Sequence, residues 1–107
     1  MTHELRIIED SFTAPGETAW VTYRGKFNFC LSNPDVGSPD EFPAGVEIML
    51  IGRFPNSVIE YPMRGVDGVV FSQPGVYVVD CPEPGSEFKI ICLAIPGGTT
   101  VDYRLSR

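Results

Sequence analysis

A single histidine, eight lysines and arginines, and three cysteines make up the chain's whole stock of three common catalytic, nucleic-acid-binding and metal-binding side-chain classes. His3 lies in the N-terminal arm, where fixed geometry is not expected. A Ser-His-Asp arrangement or a cupin-type metal centre needs imidazole on a rigid element, so neither is expected. The basic residues are outnumbered by 14 acidic ones, for a net charge of −6. Binding nucleic acid depends on clustered cations that release counterions, and no such cluster exists, so no nucleic-acid partner is expected. Cys30, Cys81 and Cys92 are odd in number and lack CxxC spacing. They indicate neither a closed disulfide framework nor a zinc site, and read as buried free thiols made in a reducing cytosol. No apolar run approaches the ~18 residues of a membrane span, and no basic segment followed by an apolar one opens the chain. Neither a membrane partner nor a signal peptide is expected.

What the chain has in quantity is turn-forming and strand-forming residues. Ten prolines and 11 glycines in 107 residues mark frequent reversals, and the length fits one domain that folds without metals or disulfides. The central stretch runs from Phe71 to Ile95. Val76 to Asp80 and Phe88 to Ile95 are rich in Val, Ile, Tyr and Phe, and the prolines and glycine between them, Cys81-Pro82-Glu83-Pro84-Gly85-Ser86, predict a hairpin. Ile90 to Ile95 is apolar at consecutive positions, which predicts a central strand covered on both faces.

Elsewhere the two-residue period recurs. Leu5 to Phe12 fits a first strand preceded by a mobile arm over residues 1–6. Thr18 to Leu31 reads as a second hairpin turning at Arg24-Gly25, with Ala19, Val21 and Tyr23 on one face of its first arm and Thr18, Trp20 and Thr22 on the other. Val46 to Phe54 places Val46, Ile48 and Leu50 together. Val58 to Tyr61 is ended or confined to a sheet edge by Pro62. Val69 to Phe71 and Thr99 to Leu105 complete the set. About eight or nine short strands without helical periodicity predict an all-β, antiparallel β-sandwich, jelly-roll-like and single-domain.

Candidate chemistry is thin. Asp80 and Glu87 flank the central turn and could face each other, but like charges at a hairpin mouth are commonly just solvated. A cysteine nucleophile has no positioned base. Gly97-Gly98 and Pro74-Gly75 are turns, because no helix start or lysine follows them to make a phosphate loop. The acidic loop from Ser32 to Gly45 holds Asp35, Asp40 and Glu41 without EF-hand spacing, and reads as solvated. No catalytic, metal or cofactor site is expected, and the chain is not expected to be an enzyme. Of the aromatic group Trp20, Tyr23, Phe54, Tyr61, Tyr77 and Tyr103, most read as core. Trp20, opposite Ala19 and Val21, is the one expected near an interface.

Three stretches, APGETAWVTYRGKFNF, LIGRF and VVFSQPGVYVVDCPEPGSEFKIICLAI, resemble the small all-β virion proteins of tailed bacteriophages, in particular capsid decoration or cement proteins. In those a Gly-Lys-Phe strand, a Phe-x-x-Pro-Gly-x-Tyr run and a glycine-turned hairpin recur, and the likeness spans residues 15–105. The resemblance implies a protein made in the host cytoplasm that sits on the capsid surface, binds the major capsid protein, locks adjacent subunits together and self-associates as a dimer or trimer. In that role the arm with Leu5 and Arg6 would add a strand to a neighbour's open edge. The loop with Asp40, Glu41 and Phe42 would reach a second subunit, and Arg104 and Arg107 would pair with acidic capsid groups. Two other readings stand beside it: a carbohydrate- or receptor-binding sandwich of a phage tail or fibre, and a cytosolic adaptor.

Overall fold

In the computed structural model, residues 8–22, 25–34, 41–54, 56–63, 68–81 and 86–106 are described, Cys81 by its backbone alone. They form ten strands and no helix: Ile8–Phe12 (β1), Gly16–Glu17 (β2), Val21–Thr22 (β3), Gly25–Ser32 (β4), Glu47–Arg53 (β5), Glu60–Pro62 (β6), Val70–Phe71 (β7), Gly75–Cys81 (β8), Glu87–Ala94 (β9) and Val101–Ser106 (β10). One sheet has the order β1-β10-β4-β8. In the other, β9 and β5 lie at the centre, with β2 and β3 end to end along β9 and β6 and β7 end to end along β5. Every pairing is antiparallel. Counting each interrupted strand once leaves eight positions, four to a sheet, in the strand order of a jelly roll. The two breaks account for the excess over the eight or nine strands expected.

Alternation builds the core. Phe27, Phe29 and Leu31 of β4, Ile48 and Leu50 of β5, Phe88, Ile90 and Cys92 of β9, and Val101, Tyr103 and Leu105 of β10 all turn inward and are buried. Their neighbours turn out. Burying side chains of this size stabilises by roughly 1.5–3 kcal/mol each before entropy is counted. Burial also pushes the thiol of Cys92 above its ordinary pKa, whereas Cys30, on the outer face of β4, is half-buried.

Both expected hairpins are corrected. β8 pairs with β4 and β9 with β5, so Val76 to Asp80 and Phe88 to Ile95 lie in opposite sheets, and Asp80 and Glu87 do not face each other across a ladder. Likewise Thr18 to Thr22 runs along β9, while β4 belongs to the other sheet. The chain changes sheet between Thr22 and Gly25, and Gly25 opens β4 with a φ of 103°, open to glycine and strained for other residues. The run Ile90 to Ile95 is central, as expected, but not covered on both faces: Leu93 is exposed and Ile91 half-buried. The strand at residues 58–61 begins only at Glu60, and Pro62 does sit on an edge strand.

Candidate functional site

β5 and β9 hold most of their outward side chains in register, and the outer face they share is where charge and aromatic surface meet. Arg53 lies opposite Glu87, and Ile51 opposite Lys89. Beside them, the edge strand carries a β-bulge. Glu17 is opposite Ile91 and Val21 opposite Phe88, so four steps along the edge match three along β9, which leaves one extra residue. Thr18 spans the irregularity. Its N–H donates to the carbonyl of Ile90 (2.9 Å), and its hydroxyl accepts from the Ile90 N–H (3.0 Å) while donating to the carbonyl of Ala19 (2.9 Å). The extra residue lets Val21 pack against the core while Trp20 turns to the outer face.

There Trp20 meets two cations. The Arg53 guanidinium lies 3.9 Å from the ring centroid and the Lys89 ammonium 4.7 Å. Each cation also has a carboxylate: Arg53 Nε and Nη2 both donate to Glu87 Oε1 at 3.0 Å, and Lys89 Nζ donates to Glu17 Oε1 at 3.1 Å. Cation–π contacts of this kind are worth roughly 0.5–1 kcal/mol when exposed and more when desolvated. Trp20 itself is half-exposed, with both ion-paired cations against its ring. Next to the cluster the same face is apolar, with Met49, Ile51 and Ile91 half-buried and Val70 and Leu93 exposed.

Arg104 faces out from β10 on the other sheet, where its Nε pairs with Glu9 Oε1 at 3.3 Å. It lines a shallow groove of about 430 Å³ with Glu9, Asp10, Cys30 and Asp102, and Ser11 donates a hydrogen bond to Asp102. Among the described residues, no group of three or more His, Cys, Asp or Glu side chains is placed to hold a metal ion. Glu41 is exposed, and its carbonyl accepts from Asn33 Nδ2 at 2.9 Å. Phe42 is a correction to the expected interface. Its side chain is 4% exposed within the core, and its N–H donates to Gln73 Oε1 (3.2 Å), so the ring is already spent on internal packing. Leu5, Arg6, Asp40 and Arg107, with the 1–6 arm, lie outside the described residues. Of the expected interface residues that are described, Trp20 and Arg104 lie on the outer faces of opposite sheets.

The residues missed in the sequence are the partners of Trp20. Arg53 and Lys89 are the single cations of two otherwise largely apolar strands, each at an outward position, and that was the available signal. Compared with protein-family models, with curated proteins and with solved structures, the chain matches none. The resemblance to phage decoration proteins rests on the quoted stretches alone.

Proposed function

We infer that this chain works by adhesion, as a structural protein of a tailed-phage virion that binds the capsid exterior and bridges major capsid protein subunits. The observation that supports it is the Trp20, Arg53 and Lys89 cluster. Tryptophan and arginine are the side chains that most often dominate protein interfaces, and here an edge-strand tryptophan lies against an ion-paired arginine of a central strand and borders an apolar face. A decoration protein meets the same site many times on a shell, so modest contacts at two places on one sandwich act together. The jelly-roll order is shared by viral capsid and lectin domains, so the fold is compatible with this role but does not select it. For the alternative, a carbohydrate-binding sandwich, an open aromatic platform is needed, and a guanidinium 3.9 Å from the Trp20 centroid already occupies ring surface a sugar would stack on.

The test is co-sedimentation of the purified chain with tailed-phage capsids that lack it. Saturable binding is expected, with Trp20→Ala weakening it by about 30-fold, the size of a hot-spot loss. Absence of binding, together with retention of the chain on an immobilised sugar, would overturn the reading.

A further inference from the structure

β8 ends the first sheet: β4 pairs with one side of it, and no described strand pairs with the other. A strand edge in that position is a template for another strand, and proteins blunt such edges with lysine, proline or a bulge. The middle of β8 has none of these. It carries Val76, 67% exposed, and Val78, 54% exposed, on an outer face that is otherwise polar through Lys26, Ser32, Asp102 and Arg104.

We propose that β8 is where a second copy of this chain pairs, antiparallel and across a two-fold axis, joining the two four-stranded sheets into one of eight strands. Two-fold pairing sets one strand against itself, so the strand must complement its own reverse. β8 does. In the register that places Val76 of each copy opposite Val78 of the other, both valines gain a β-branched partner, and the contact is made twice. Asp80 then falls opposite Pro74, and the two Asp80 carboxylates lie six residues apart, roughly 20 Å at ~3.4 Å per residue, beyond the ~8 Å screening length of physiological salt.

Charge favours this edge over the rest of the surface. The chain carries −6, so two copies repel at most approaches. Along β8 and the adjoining β4 the formal charges are Lys26 and Asp80, which stand opposite each other in register and cancel. The strip thus carries no formal net charge, and Val76 and Val78 are its apolar part.

One strand per copy is a smaller contact than the roughly 1,000 Å² of a durable interface, so the pair is dynamic, with affinity on the order of micromolar or weaker. Dilute chains are single and crowded ones paired. The inference goes beyond the adhesive reading and stands whether or not the partner surface is a capsid.

Sedimentation of the full chain from about 1 µM to 1 mM tests it. The mass should climb from 11.8 kDa toward twice that value. Val76→Lys with Val78→Lys should lower the association constant about 100-fold or more, because like charges then meet across the strands. Leu93→Lys, on the other sheet, should leave it unchanged. Hydrogen exchange needs no variant: β8 amides should slow as the natural chain is concentrated. A mass fixed at 11.8 kDa, pairing that survives the double lysine variant, pairing lost in Leu93→Lys, or β8 exchange independent of concentration would each overturn the proposal.

Discussion

Phe27 of β4 and Phe88 of β9 stack face to face, with ring centroids 4.6 Å apart and planes 10° from parallel. They come from different sheets, and both are buried, so this pair is a direct tie between the two layers. Phe88→Ala is expected to cost about 3–5 kcal/mol, since the cavity has a wall from each sheet and neither can collapse alone. That is a large part of the 5–15 kcal/mol typical of a domain. Urea unfolding would measure it, and Phe88→Leu should recover more than half.

Gly52 faces the core directly opposite Tyr61, and a Cβ there would sit 2.8 Å from Tyr61 Cζ. The tyrosine ring crosses over the glycine and reaches Phe54, 4.9 Å away between centroids. Gly52→Ala should therefore destabilise by about 1–3 kcal/mol through overpacking. In a Tyr61→Ala background the same change should cost less, and a double-mutant cycle by thermal unfolding reads the difference.

Thr18 supplies through its hydroxyl the acceptor that the bulge takes away from the edge strand. Thr18→Ala leaves the Ile90 N–H without its partner, at an expected cost of about 1–2 kcal/mol. Thr18→Ser keeps the oxygen and should lose little. The two variants differ in exchange at the Ile90 amide, which should speed up only in the alanine variant.

Tyr103 makes one contribution to stability that is lost at alkaline pH. Burial, and after it the carboxylate of Asp10 across the β1–β10 ladder, hold its hydroxyl above the ordinary tyrosine pKa. The unfolded chain therefore gives up this proton first. From about pH 10 upward the folded form binds more protons than the unfolded form, so stability falls as pH rises until the folded-state pKa is passed, and below about pH 10 the contribution is complete. Melting temperatures from pH 9 to 11 should decline, with a shallower decline in Tyr103→Phe and in Asp10→Asn.

The positions of strands were legible wherever alternation was strict. Val46, Ile48 and Leu50 face inward together as their spacing implied, and Phe27, Phe29 and Leu31 do the same. Which strand lies beside which was not legible. Turn residues such as Pro82, Pro84 and Gly85 state that the chain reverses, but a returning strand placed behind its predecessor uses the same chemistry as one placed alongside. Hence β8 and β9 looked like a hairpin and are instead packed across the core. Trp20 was marked by its position opposite Val21. Its cations stood out only as the lone basic residues of their strands; their meeting with Trp20 was not legible, because Arg53 and Lys89 come from strands 33 and 69 residues further on, and only the β5–β9 register brings them under the ring.

β1 is zipped to β10 from Ile8 opposite Leu105 to Phe12 opposite Val101. During synthesis β10 emerges after the other nine described strands, so β1 and β4 are made well before the segment that lies between them in the sheet. Until then Phe29 and Leu31 lack Leu105 and Tyr103, which stand opposite them in the finished sheet, and apolar surface left open in such an interval is prone to aggregate. The finished sheet also brings β1 and β10 side by side, so splicing these two strands together and cutting the backbone at a surface turn is a rearrangement the architecture should accept.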